Sequence, residues 1–204
     1  MLDETGFNLW AGNYDKTVAL CEEEDEYPFA GYKTVLNTIY RRIRLGHGKT
    51  VLDIGFGTGI LSKKLYDDGI RIYGIDFSEE MIRLAQEKMP DATLLRHDFS
   101  GGLPAVFQDK RFDYIVSTYA IHHLTDEEKI VFLKDLQNHL TEDGEILIGD
   151  VAFGTMEEQD SCMQRSGEEW DDEEFYIVAE ELAKHFTGLK FQKISHCSGV
   201  CIIK

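Results

Sequence analysis

The feature that most constrains the fold lies at residues 51–62, where an apolar run leads through Asp53 into three alternate glycines and then a helical pattern. Gly55 and Gly57 carry no β-carbon, so a ligand can approach the backbone closely there. The helix that follows offers N–H groups at its first turn that no intrahelical acceptor uses. A strand, a glycine loop and a helix in this order predict a ligand site beyond the end of a buried strand.

The remaining chain repeats the alternation of strand and helix from residue 49 onward, which indicates βαβ units around a mostly parallel sheet. Residues 1–45 precede the first strand and predict a helical cap that contains several aromatic side chains. Seven strands are predicted, the last two as a hairpin: 50–54, 71–75, 92–96, 112–118, 145–149, 189–195 and 198–203.

Two later helices are predicted from capping and periodicity. Thr125 and Glu128 have the spacing of a capping box before an apolar repeat of helical period. A second amphipathic helix is predicted after Asp171, with apolar positions spaced along one face from 175 to 186. The polar stretch at 153–170 shows no clear period and is expected to help form a wall of the substrate pocket.

Composition limits the classes of partner. Lys and Arg total 21 against 38 Asp and Glu, a net charge of −17 that repels phosphate backbones and anionic lipid surfaces. No apolar run approaches the ~18 residues of a membrane span, and the first residues lack the basic and apolar regions of a signal peptide. We therefore expect a cytoplasmic protein with neither nucleic acid nor membrane as partner.

The four cysteines form no CxxC pair. Cys197 and Cys201 lie in a predicted strand, which separates their α-carbons by ~13 Å at about 3.3 Å per residue. That separation is too large for one tetrahedral metal, so no metal site is predicted.

The glycine loop reads G-x-G-x-G, because Ile60 occupies the place of the third glycine in a dinucleotide fingerprint. Asp76 ends the second strand, where a carboxylate can accept hydrogen bonds from both hydroxyls of an adenosine ribose. This acid is compatible with NAD and with S-adenosylmethionine. Asp53 has a second interpretation as a structural cap of the loop, and Phe77 and Met81 as core residues.

Four ordered motifs resemble those of class I S-adenosylmethionine-dependent methyltransferases: the loop at 51–59, the segment at 74–78 around Asp76, the segment at 97–99, and residues 117–124. Segments 9–15 and 119–129 further resemble the YrrT-like group of bacterial methyltransferases. The resemblance implies a Rossmann-like α/β fold and S-adenosylmethionine as methyl donor. The length of 204 residues predicts a single domain, here a methyltransferase domain over 1–204 with a cap at 1–45, a cofactor-binding core at 46–150 and a substrate-side segment at 151–204.

By this resemblance Asp53 and the glycine loop hold the methionine portion of the cofactor, and Asp76 holds its ribose. Phe77 and Met81 cover one face of adenine, while Asp98 and Phe99 meet its amino edge. The full cofactor-binding set is Tyr14, Asp53, Gly55, Gly57, Gly59, Asp76, Phe77, Met81, Asp98, Phe99 and Ser117.

Methyl transfer from a sulfonium to a small acceptor is an in-line displacement, which chiefly requires alignment and exclusion of water. Where the acceptor needs a base, the candidates are His122, His123 and Asp150, at the ends of the fourth and fifth strands. Adjacent side chains in extended backbone point apart, so at most one histidine is expected to face the pocket. Either histidine has an alternative role as a helix cap or core residue. Trp10 and Tyr14 are interpreted as a lid or as packing between cap and sheet.

Two rival functions remain open from the sequence. One is an NAD-dependent dehydrogenase, which Ile60 and the absence of a separate substrate domain disfavour. The other is a protein that binds S-adenosylmethionine without catalysis, because a fold does not fix a function.

Overall fold

A computed structural model describes residues 26–204, which form an α/β structure around one central sheet. Its strands are β1 (Thr50–Ile54), β2 (Arg71–Asp76), β3 (Thr93–Arg96), β4 (Phe112–Thr118), β5 (Leu140–Phe153), β6 (Ile177–Val178), β7 (Lys190–Lys193) and β8 (Ser198–Ile203). Its helices are α1 (Tyr32–Leu45), α2 (Ile60–Asp67), α3 (Glu79–Lys88), α4 (Asp126–Gln137), α5 (Met156–Ser166) and α6 (Ala179–Leu182).

Seven strands run across the sheet in the order β3-β2-β1-β4-β5-β8-β7, and β6 pairs with β5 off this path. The first five strands in this order are parallel, whereas β8 is antiparallel to both β5 and β7. The predicted parallel core and C-terminal hairpin are thereby confirmed. The chain moves outward from β1 to β3 and then returns to β4, so that strand order reverses between β1 and β4. Such a switch point opens a crevice at the carboxyl ends of the strands.

Apolar side chains pack on both faces of the sheet. Consecutive residues of β1 show this directly: Val51 belongs to the apolar cluster that includes α1, whereas Leu52 belongs to the cluster on the opposite face with α4. Both side chains are fully buried. Burial on both faces explains why the parallel strands are continuous apolar runs rather than alternating ones.

The described part of the predicted cap is α1, which packs against the centre of the sheet. A β-carbon on Gly149 of β5 would lie 2.3 Å from Cγ1 of Val35 and 2.9 Å from Cδ1 of Ile39, so the absence of a side chain permits the close approach. Arg42 adds two hydrogen bonds of 2.6 and 2.7 Å to the carboxylate of Glu145. These contacts join α1 directly to β5.

The helix predicted after Asp171 does not form as expected. Residues 171–176 are not helical, Ile177–Val178 is the short strand β6 parallel to β5, and only Ala179–Leu182 is helical. The backbone N–H of Phe175 donates to the carbonyl of His122. Phe175 is 40% exposed and is not part of a buried apolar stripe. Pairing of two β-branched residues with β5 overrides the helical periodicity.

Other elements agree with the sequence or extend it. The capping box at the start of α4 is present in both directions, from Thr125 and from Glu128. The fifth strand continues to Phe153, beyond its predicted end at 149, and the region at 153–170 contains the unpredicted helix α5. Helix α5 has a single buried residue, Cys162, so its sequence carries little of the apolar period that identifies a helix.

We predict that Gly149→Ala destabilises the protein by about 1 to 3 kcal/mol, because the new methyl group must displace α1 from the sheet. Urea unfolding followed by circular dichroism measures this change. Gly101→Ala is the matched control, since a β-carbon there meets nothing within 4 Å. Equal free energies of unfolding for the two variants would contradict the close contact between Gly149 and Val35.

Candidate active site

A cleft opens at the switch point of the sheet, beyond the carboxyl ends of β1, β2 and β4. Its walls come from five parts of the chain that are distant in sequence, including α1. The lining residues are Tyr32, Leu36, Asp53, Gly55, Phe56, Gly57, Thr58, Ile60, Leu61, Asp76, Phe77, Met81, Phe99, Thr118, Tyr119, Ala120 and His123.

The glycine loop forms the floor of this cleft. A β-carbon on Gly55 would lie 2.4 Å from Cβ of Ala120, so the loop can pass the end of β4 only with glycine there. Gly57 has a φ of +55°, and a β-carbon there would point into open space. The loop therefore leaves room above its own backbone for a ligand.

Asp76 fastens the loop to the end of β2. One carboxylate oxygen accepts a hydrogen bond of 2.8 Å from the N–H of Gly57, and the other accepts one of 2.9 Å from the N–H of Ser78. Burial raises the pKa of this carboxyl above its usual value, although these backbone hydrogen bonds oppose the shift. The N–H of Phe77 gives this carboxylate a third backbone hydrogen bond, which leaves about one of its four acceptor positions for a ligand.

Asp53 is buried beneath the loop at the end of β1. Its Oδ2 accepts a hydrogen bond of 2.5 Å from the hydroxyl of Ser62 on α2, while Oδ1 has no partner among the described residues. Burial raises the pKa of Asp53 to about 7, and the nearby charge of Asp76 contributes in the same direction. A buried carboxylate oxygen without a donor is a binding position for a cationic group.

The predicted adenine-side residues divide into two groups. Phe77, Met81 and Phe99 line the cleft, and the ring of Phe99 stacks on Phe132 at 5.8 Å. Asp98 is exposed and caps the turn after β3, with one carboxylate oxygen accepting from the N–H of Ser100 at 2.9 Å. Its carboxylate therefore has a structural task and does not line the cleft.

The residues at the end of β4 that line the cleft are not the predicted one, Ser117. Ser117 is buried in the strand and does not line the cleft; its hydroxyl has no partner among residues 26–204. Thr118 and Tyr119 line the cleft instead. Tyr119 has a φ of +50°, an unfavourable conformation for a bulky residue that places a tight bend at the cleft wall.

The three predicted catalytic residues meet in one cluster. Nδ1 of His122 donates to Oδ1 of Asp150 at 2.6 Å, and Nε2 lies 3.4 Å from Oε1 of Glu174. Burial alone lowers the pKa of His122, but the carboxylate of Asp150 outweighs burial and the pKa is raised. Burial and the neighbouring His122 lower the pKa of His123 to about 4.

His123 reaches the cleft, whereas His122 and Asp150 lie behind it. The expectation that the two histidines point apart is wrong: their ring centroids are 4.3 Å apart. The reason is local, because Ile121–His123 forms a 3-10 turn instead of extended backbone.

Sequence reasoning missed several residues of this region. Tyr32 and Leu36 of α1 form part of the wall, although the cap was not assigned any cofactor contact beyond Tyr14. Glu174 lies near the start of the helix predicted after Asp171, and its place beside His122 has no local signal in the sequence. Trp10 and Tyr14 lie outside the described residues.

Known proteins similar in sequence to this chain are methyltransferases. Residues 51–144 match the family model described as a methyltransferase domain. An uncharacterized methyltransferase of Geobacillus sp. (strain WCH70) is 38% identical over 88% of this chain and 80% of its own length. The uncharacterized methyltransferase YrrT of Bacillus subtilis (strain 168) is 35% identical over 90% of this chain and 82% of its own.

Solved structures share the fold at low sequence identity. The DhpI complex with S-adenosylhomocysteine aligns with a TM-score of 0.70 and 16% identity, over 98% of this chain and 94% of that one. Magnesium protoporphyrin IX methyltransferase of Synechocystis, also with bound S-adenosylhomocysteine, aligns with a TM-score of 0.65 and 18% identity, over 85% and 83%.

The chain belongs to the class I S-adenosylmethionine-dependent methyltransferases. Within that class it falls in the YrrT-like group. Its methyl donor is S-adenosylmethionine. Among the helices of residues 26–204, none combines the length and hydropathy needed to cross a bilayer.

We predict that Asp53→Asn loses less stability than the parent protein when pH rises from 5 to 8. In the parent, the unfolded carboxyl ionises near pH 4 and the folded one only near its pKa of about 7. Stability from this group is complete below the unfolded pKa and is lost as pH rises through the folded pKa. Between pH 5 and pH 8 the free energy of unfolding should therefore fall less in the variant than in the parent, by on the order of a few kcal/mol.

Urea unfolding at each pH gives the free energies of unfolding. Asp160→Asn on the exposed surface of α5 is the control and should follow the parent at every pH. Parallel pH profiles for Asp53→Asn and the parent would show that Asp53 is not a buried carboxyl with a raised pKa.

Proposed function

We propose that this methyltransferase transfers the methyl group of S-adenosylmethionine to a small-molecule acceptor by in-line displacement. The observation that carries the proposal is the buried Oδ1 of Asp53, an acceptor without a donor at the floor of the cleft. The cofactor carries an α-ammonium group and a sulfonium, both of which an acidic pocket favours. A pyrophosphate would instead place negative charge beside this carboxylate, which argues against a nicotinamide dinucleotide.

The residues of the cleft fit the remaining parts of the cofactor. The open space over Gly57 accommodates the methionine portion, and the remaining acceptor position of Asp76 suits a ribose hydroxyl. Phe77, Met81 and Phe99 provide apolar surface for adenine. The roles of Asp98, Ser117 and Tyr14 toward the cofactor stay predictions from family resemblance.

When bound, S-adenosylmethionine supplies a methyl group whose carbon is activated by the positive charge on sulfur. The chain contributes alignment and exclusion of water. Tyr32 and Leu36 of α1 line one wall of the cleft, and the ring of Tyr119 packs against that of Tyr32 at 5.1 Å in the same wall. His123 is placed to contact the acceptor. His122 packs behind His123 and is itself held by Asp150.

The proposal of a small acceptor rests on charge and on space. A second cavity lies on the far side of Glu174, between α4, α5 and the segment around β6, and contains both polar and apolar side chains. The net charge of −17 opposes binding of DNA or RNA, whose affinity depends on neutralising phosphates. The substrate-side role of 151–204 is part of the same proposal, since this segment supplies most of that cavity.

The proposed reaction is tested by incubating the full chain with S-adenosylmethionine and a panel of small thiols, amines, phenols and carboxylates. Conversion to S-adenosylhomocysteine that depends on one acceptor class, with a methylated product of matching mass, is the expected result. NAD serves as a binding control and should not compete with S-adenosylmethionine. Acceptor-dependent conversion seen with RNA or DNA but with no small molecule would overturn the proposal.

We predict that Asp76→Ala weakens the binding of S-adenosylhomocysteine by about 1.5 to 3 kcal/mol, the range for hydrogen bonds to a charged group. Part of this loss arises because the N–H of Gly57 loses its acceptor and the loop becomes less fixed. Asp76→Asn should lose less affinity than Asp76→Ala, because the oxygen of its side-chain amide still accepts a hydrogen bond. Isothermal titration calorimetry measures the affinities, with Asp160→Ala as a surface control. Unchanged affinity in a folded Asp76→Ala variant would exclude the ribose assignment.

A further inference from the structure

We propose that His122, His123 and Glu174 bind one divalent transition-metal ion of the zinc type. One ligand atom from each residue can be chosen so that all three lie within 4.8 Å of one another. Two imidazoles and one carboxylate are a ligand set that suits zinc, cobalt, nickel and iron. Glu174 is distant in the chain from the adjacent pair His122 and His123, and the three follow no spaced motif, which is why the sequence predicted no metal.

The spacing of the nearest pair matches coordination geometry. Nε2 of His122 and Oε1 of Glu174 are 3.4 Å apart. Bonds of about 2.0 to 2.2 Å from zinc to nitrogen and oxygen, at a tetrahedral angle, separate two ligand atoms by roughly 3.4 Å. An ion between these atoms therefore requires little movement of either side chain.

Asp150 provides an independent indication. Its Oδ1 accepts from Nδ1 of His122 at 2.6 Å, which directs Nε2 toward Glu174 and His123. A carboxylate bound to the distal nitrogen of a ligating histidine is the usual outer partner of a metal site. The carboxylate of Asp150 is fully buried, and its Oδ2 has no partner among the described residues. A cation bound at His122 would offset the cost of burying this acid.

The cluster also has an access route. His123 lines the cofactor cleft, and Glu174 lines the second cavity with its side chain 20% exposed. An ion held between them would have coordination positions open toward both spaces. Catalytic metal sites keep such an open position, whereas purely structural sites are closed.

The position of the cluster implies a class of acceptor, and this part of the inference rests on the proposed function. An acceptor thiol or hydroxyl bound to the ion would lose its proton to solvent. Its sulfur or oxygen lone pair would then form the new bond to the methyl carbon. The bond from that carbon to the sulfonium breaks, and its electron pair stays on the sulfur of S-adenosylhomocysteine. The inferred acceptor is therefore a small molecule with a thiol or hydroxyl nucleophile.

Metal binding is tested on untagged full-length protein that has been stripped with a chelator, in the absence of cofactor. Titration with Zn²⁺ by calorimetry should show one tight site per chain, and Co²⁺ should give the visible absorption of a low-coordinate site. Glu174→Gln should abolish both signals. Asp150→Asn should weaken binding by roughly 10- to 100-fold, the usual effect of removing an outer partner.

His185→Ala is the matched control, because this exposed histidine borders the second cavity outside the cluster. Its metal affinity should equal that of the parent protein. Circular dichroism and thermal melting show whether each variant folds. If Asp150→Asn does not fold, Glu174→Gln still decides the test, because the side chain of Glu174 is partly exposed. No tight site, or a site that survives Glu174→Gln, would overturn the inference and leave an ion-pair network of His122 with its two acids.

Failure of the metal site and failure of the proposed reaction are distinguishable. Cofactor binding and acceptor-dependent turnover in chelated protein, without any tight metal site, would overturn only the metal inference. If the inference holds, chelation should lower turnover with thiol or hydroxyl acceptors while the affinity for S-adenosylhomocysteine stays unchanged.

Discussion

Helices cover both faces of the central sheet, and this burial decides where a polar site can form. Along β1 the side chains of Val51 and Leu52 enter opposite apolar clusters, so a polar group within the sheet is buried and needs a hydrogen-bond partner or a ligand. Asp53 and Asp76 lie near the carboxyl ends of β1 and β2, where their carboxylates border the cleft. The cleft at the switch point is a consequence of this constraint.

Each acid at these strand ends combines a structural task with an available acceptor position. Asp76 accepts from the N–H groups of Gly57 and Ser78 and so fixes the loop, yet its carboxylate keeps an acceptor position for a ligand. Asp53 accepts from Ser62 through one oxygen and leaves the other without a donor. The same buried charges that lower stability near neutral pH favour a ligand that carries positive charge. Stability and cofactor binding are thus opposed at the floor of the cleft.

The cofactor cleft and the second cavity meet at the His122 cluster. Two acids, Asp150 and Glu174, contact this histidine from opposite sides. The arrangement depends on the non-helical segment before β6, since a helix there would have changed the position of Glu174 relative to His122. This non-helical segment therefore completes the candidate acceptor site.

The sequence by itself determined the parallel core, the terminal hairpin, the glycine loop and the acids near the ends of β1 and β2. These features depend on short-range patterns: apolar runs, glycines at a turn, and a carboxylate near the end of a strand. Resemblance to known motifs added the cofactor, which the residues alone left open between NAD and S-adenosylmethionine. Both kinds of inference concern residues that are close together in the chain.

Only the tertiary structure decided the rest. Periodicity at 175–186 predicts a helix, but pairing of Ile177–Val178 with β5 is a long-range interaction that local pattern does not contain. The meeting of Glu174 with His122 has the same origin, because it follows from that pairing. Asp98 and Ser117 illustrate the converse: their place in a motif is recognisable, whereas the direction of each side chain is set by the turn or strand that surrounds it.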